Sequence, residues 1–192
     1  MKHTFSKIAA VTVIASLSFA ACKKVKEDHV PHAHEQELIT SVKIRLTNAD
    51  GFDKTFTYKV ENGFGSNTPG TISIDTLVLA PNKSYNAEVT VIGKHDDHED
   101  DITSEVISES DEHLFVFESN PPSGAGALLM TEGNKDGSGN PFNQKVKLTT
   151  DATGNGTLTL TLKHEPANKA ASTASAAGGS TDAEAVYPVR IQ

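Results

Sequence analysis

Histidines and carboxylates crowd together twice in this chain. His29, His32 and His34 stand among Glu27, Asp28, Glu35 and Glu37, and the run His95-Asp96-Asp97-His98-Glu99-Asp100-Asp101 places two imidazoles three residues apart beside five carboxylates. Imidazole nitrogen and carboxylate oxygen together suit Zn²⁺, Cu²⁺ or Ni²⁺, and the surrounding negative charge raises the local cation concentration. The ligand set this predicts is His29, His32, His34, His95 and His98, assisted by Asp96, Asp97, Glu99 and Asp100, with zinc or copper as cargo and no metal needed for folding. His113, next to Asp111 and Glu112, brings to six of eight the histidines that fall in carboxylate-rich clusters. The spacing matches no structural zinc motif, so an adaptable chelator is expected, its affinity lowered by the entropy of ordering it. The competing reading is a solvated acidic surface whose histidines are incidental. His113 and His164 border strand-like runs and read as surface or packed side chains.

Cys22 is the single cysteine. Before it come Lys2 and Lys7, the apolar stretch Ile8–Phe19, and the small pair Ala20-Ala21, which is the layout of a secretory signal peptide. A lone cysteine directly after the small residues, in Ser18-Phe19-Ala20-Ala21-Cys22, also has the form of a lipobox, with Phe19 where Leu is usual. There the thiol takes up a diacylglycerol and becomes the new, acylated N-terminus, anchoring the chain to a bilayer. Soluble secretion with a free thiol is the alternative, and an unpaired cysteine is unusual in an exported protein.

Other motifs carry less. Asn134-Lys135-Asp136-Gly137-Ser138-Gly139-Asn140 weakly resembles a Ca²⁺ loop but lacks the closing bidentate Glu, so a hairpin turn is the better reading. No Gly-x-Ser-x-Gly elbow is present, and no pair of carboxylates is set by spacing as an acid/base couple; a non-catalytic protein is expected.

These groups must be positioned by strands. After the charged segment 22–37, which reads as a flexible tether, the pattern turns to period two: Val42, Ile44, Leu46; Phe56, Tyr58, Val60; Ala87, Val89, Val91; Leu158, Leu160, Leu162; Tyr187, Val189, Ile191. Short one-sided runs of this kind are half-buried antiparallel strands, and turn signals such as Asn48-Ala49-Asp50-Gly51, Asn62-Gly63 and Thr153-Gly154-Asn155-Gly156 separate them. The organisation predicted is a signal segment 1–21, an acylated Cys22 and tether through 37, and one all-β domain over 38–192. That domain is most simply an immunoglobulin-like antiparallel β-sandwich of about seven to nine strands. Loop insertions are expected near 95–101 and 167–180, the second Ala/Ser/Gly-rich and floppy. A split into two domains near Asn120-Pro121-Pro122 is the alternative. The formal charge of −8 becomes −10 when Lys2 and Lys7 leave with the signal. Such an acidic surface disfavours nucleic acid as a partner.

The phrases Glu37–Val42, Asp75–Leu79, Asp111-Glu112-His113-Leu114-Phe115, Gly156–His164 and Val186–Gln192 together resemble a family of small Bacteroidota outer-membrane lipoproteins of undefined function. The resemblance spans most of 37–192. Some members carry a type 1 periplasmic binding fold label, which needs alternating strands and helices that this pattern lacks. It implies an outer-membrane, lipid-anchored setting as an accessory of TonB-dependent uptake receptors. Lys26-Glu27-Asp28 is similar to the Lys-plus-acid surface-export signal of such lipoproteins, so exposure on the cell surface is implied too. The function expected is metal capture for a membrane uptake system. The rival is a structural or interaction module that docks on a receptor or surface polymer without metal.

Overall fold

The computed structural model describes residues 38–95 and 98–192, and the His95 side chain stands outside the described set. Along the chain run β1 (Leu38–Thr47), β2 (Asp53–Val60), β3 (Ile72–Ile74), β4 (Leu77–Leu79), β5 (Ser84–His95), β6 (His98–Asp101), α1 (Thr103–Ser108), β7 (His113–Asn120), β8 (Leu128–Lys135), β9 (Pro141–Thr150), β10 (Gly154–His164), α2 (Ala174–Ala177) and β11 (Ser180–Ile191). The all-β expectation holds. The described strands number eleven, more than the seven to nine expected. They form a seven-stranded sheet, ordered β3-β2-β1-β5-β9-β8 with β6 added on β5, and a four-stranded sheet ordered β4-β11-β10-β7. Pairing is antiparallel except where β4 runs parallel to β11. Among the described residues no helix is long and apolar enough to cross a membrane.

The period-two side chains become the core between the sheets. Val42, Ile44, Leu46, Val89 and Val91 from the larger sheet meet Phe115, Leu158, Leu160, Leu162, Tyr187 and Val189 from the smaller one, all buried. At ~25 cal/mol per Å² of apolar area, this burial is the main force holding the layers together. Two buried hydrogen bonds cross between the layers: Tyr187 Oη donates to Val42 O at 2.6 Å, and Asn143 Nδ2 donates to Phe115 O at 3.1 Å.

Three expectations need correction. Residues 98–101 are not a loop: β6 pairs with β5 through Ile92↔Asp101, Gly93↔Asp100, Lys94↔Glu99 and His95↔His98, so strand alternation separates His98 and Asp100 from Glu99 and Asp101 on opposite faces. The 167–180 segment is ordered. Thr173 caps α2 by accepting the Ala176 N–H at 3.2 Å, and Ala177 is buried against Leu114 and Val116 on the outer face of β7. Thr153–Gly156 is not a free turn, because Gly154 and Gly156 lie inside β10. A Cβ on Gly156 would come within 2.5 Å of Gly126 O and 2.7 Å of Asn120 O, so the glycine is there for close backbone approach. The alternative boundary at Asn120-Pro121-Pro122 is where the chain leaves β7 in one sheet for β8 in the other, within one compact unit.

The hairpin reading of 134–140 is what the structure displays. Asp136 N–H donates to Asn140 O at 2.9 Å. The Asp136 carboxylate accepts the backbone N–H groups of Ser138 and Asn140 at 2.9 and 2.8 Å and pairs through its other oxygen with Lys169 Nζ at 2.7 Å. Those oxygens are spent on the turn and on a cation of the chain itself.

Candidate metal centre

The site is built at one end of the four-stranded sheet. His113 opens β7 and His164 closes β10, and the two are direct register partners. Cross-strand partners put their side chains on one face about 5 Å apart, and the imidazoles stack with centroids 4.9 Å apart and planes 11° from parallel. Alternation places them on the same face as Phe115 and Leu162, at the end of the core.

The third member arrives through an irregularity. Along β10 and β11 the register runs Leu162↔Ala183 and then Lys163↔Thr181, leaving Asp182 as the extra residue of a β-bulge. Regular alternation would send Asp182 away from the face that Ala183 occupies; a bulge re-aims the side chain. Its Oδ2 stands 3.7 Å from His113 Nε2, and both side chains are almost buried. One ligand atom from each of His113, His164 and Asp182 lies within 4.8 Å of the other two.

The tautomer of His113 follows from its other nitrogen. Nδ1 is 3.0 Å from Glu109 O; a carbonyl only accepts, so Nδ1 carries the hydrogen and Nε2 offers its lone pair toward Asp182 when the ring is neutral. A backbone carbonyl that orients a histidine in this way is a usual outer support of a metal ligand. At 3.7 Å the Nε2–Oδ2 separation exceeds a hydrogen bond. Two donors each ~2.0–2.1 Å from one tetrahedral ion stand about 3.3 Å apart, so a small closure would bring these atoms to coordination distance. Two imidazoles and a carboxylate are a borderline donor set suited to Zn²⁺, with Cu²⁺ and Ni²⁺ as competitors.

The turn before β7 is tied down on several sides. Glu112 N–H donates to Glu109 O at 2.9 Å, and Glu112 O accepts the Glu165 N–H at 2.7 Å. Lys169 Nζ donates to the carbonyls of Ser110 and Asp111 while paired with Asp136. A single ammonium thus joins the β8–β9 turn, the β10–β11 connection and the approach to His113. The same ammonium, aided by the two backbone N–H groups, holds the Asp136 carboxyl below its ordinary range against the opposing effect of desolvation.

The residues first singled out are not those of this group. Cys22, His29, His32, His34, Asp96 and Asp97 lie outside the described residues. His98, Glu99 and Asp100 are exposed on β6, and Glu99 is paired with Lys59 at 2.7 Å. Among the described residues, none of the predicted ligands belongs to the group that the structure assembles. That group was missed because 51 residues separate His113 from His164 and 69 separate it from Asp182; the only local signal was an acid beside each histidine, Glu112 before His113 and Glu165 after His164.

A groove of about 440 Å³ on the outer face of the larger sheet is lined by Arg45, Glu88, Glu132, Lys145 and Lys147. Its charges neutralise one another, Lys145 with Glu88 and Lys147 with Glu132, while Arg45 pairs with Asp53 nearby. Each of its charged side chains is already paired within the chain. No protein-family model, curated protein or solved structure matches the chain.

Proposed function

We propose that this chain is an outer-membrane lipoprotein, anchored through acylated Cys22, whose β-sandwich binds a divalent transition metal as an accessory to a membrane uptake system such as a TonB-dependent receptor. The observation that carries the metal reading is the convergence of His113, His164 and Asp182 within 4.8 Å, with His113 held by Glu109 O in the tautomer that points Nε2 at the carboxylate. The setting rests on the Ser18–Cys22 motif and the family resemblance. In this reading the tether histidines His29, His32 and His34 and the hairpin histidines His95 and His98 are an outer, weaker collecting surface, and the sandwich site is the stronger one. The immunoglobulin-like description of the sandwich belongs to the same proposal, supported by its two packed sheets and lacking the Cys and Trp landmarks of antibody domains.

Calorimetric titration of the purified protein with Zn²⁺ and Cu²⁺ at neutral pH tests it. Micromolar or tighter binding that disappears in His113→Ala and His164→Ala, and survives replacement of the tether and hairpin histidines, is the expected result. Binding that follows the tether and hairpin histidines instead would move the site out of the sandwich. Absence of binding would leave the interaction-module reading.

A further inference from the structure

We infer that Glu112 is the fourth ligand of this centre, a solvent-side carboxylate that closes over a metal ion held by His113, His164 and Asp182; the inference rests on the metal reading above. Three inner donors leave a tetrahedral zinc one position short, which water or a further side chain fills. Glu112 Oε2 lies 3.8 Å from His164 Nε2, too far for a hydrogen bond but adjacent to the inner group.

The two halves of Glu112 behave differently. Its backbone is fixed on both sides, through Glu109 O and the Glu165 N–H, and the turn around it is clamped by Lys169. Its side chain is about half exposed, whereas those of His113 and Asp182 are almost buried. A side chain on a fixed base can rotate its carboxylate without disturbing the fold. The arrangement is three donors on paired strands and one on a swinging arm at the mouth.

That geometry separates holding from exchange. The inner three define the site, and the arm completes coordination when it swings in and opens it when it swings out. Two imidazoles and two carboxylates, with no thiolate, match a hard-to-borderline divalent ion and disfavour Cu⁺, which prefers sulfur ligands.

The test uses the full purified chain with Zn²⁺ and Co²⁺ as probes, comparing the parent, Glu112→Gln and His164→Ala. Glu112→Gln should weaken Zn²⁺ binding by at least ~10-fold, the low end of what even indirect support of a metal ligand is worth. It should also alter the intensity of the Co²⁺ visible bands, which report coordination number, while leaving the metal-free melting temperature unchanged. His164→Ala should abolish both signals. If the parent binds, His164→Ala does not, and Glu112→Gln binds with parental affinity and an unchanged Co²⁺ spectrum, Glu112 is not a ligand and the metal reading stands without it. If the parent fails to bind, or His164→Ala binds as the parent does, both the metal reading and the role of Glu112 are overturned.

Discussion

Replacing Tyr187 by Phe removes one oxygen from the centre of the sandwich and nothing else of consequence in shape. Tyr187 is fully buried. Its hydroxyl donates to Val42 O at 2.6 Å. Val42 and Tyr58 are register partners in the β1–β2 pair, so a side chain from the smaller sheet is hydrogen-bonded into the ladder of the larger one. Without the oxygen, the buried Val42 carbonyl loses this donor. Such a loss costs ~1–3 kcal/mol, so about 2 kcal/mol is expected. For a domain of this size that lowers the melting temperature by ~4–8 °C. Thermal and urea unfolding of the parent and Tyr187→Phe measure it, with an unchanged urea m-value indicating that the native state keeps its compactness. Alkaline pH supplies an independent check. Burial pushes the Tyr187 phenol well above its ordinary value. A raised folded-state pKa contributes stability that is fully present below the unfolded value of ~10 and is lost as pH rises above it. The gap between parent and variant should therefore narrow above about pH 10. A difference under ~0.5 kcal/mol at neutral pH would refute the reasoning, because it would mean that the bond to the Val42 carbonyl adds nothing to stability.

Two further outcomes follow from other parts of the chain. The Asp136 carboxyl is held below its ordinary range by Lys169, so it contributes stability above the unfolded carboxylate pKa of ~3.9 that is lost as pH falls through the lower folded value. Lys169→Met should lower stability at neutral pH and flatten the acid limb between pH 5 and 2, measured by urea midpoints; an unchanged acid limb would show that the backbone N–H groups of Ser138 and Asn140 suffice. Cys22→Ser should release the protein from the membrane fraction and eliminate any acyl mass increment on intact-mass analysis, whereas a parent protein with no acyl increment would sink the lipid anchor.

Much of the β-sheet was legible because half-buried strands write their burial into alternate residues. Val42, Ile44 and Leu46 in β1 and Leu158, Leu160 and Leu162 in β10 stand out for that reason. Besides β6, three strands hid from this logic. In β7 the outer face is covered as well, with Leu114 and Val116 packed under Ala177, so Leu114–Phe117 reads as a continuous apolar run. In β8 two register shifts and a mostly exposed surface erase the period. In β9 a buried amide, Gln144, which donates to Val89 O at 2.7 Å, occupies a position where alternation calls for an apolar side chain.

By itself the sequence determined the strand-forming stretches, most of the turns and the acidic character. These are local properties, set by side-chain periodicity, backbone preference and composition within a few residues. Only the tertiary structure decided which histidines meet. His113 and His164 face each other because β7 and β10 pair in one particular register, and Asp182 joins them because a single extra residue in β11 turns its carboxylate back toward the core. A one-residue change of register would send each of these groups to the opposite face of the sheet. Register depends on the packing of the whole sandwich, and no residue near His113 or His164 in the chain records it.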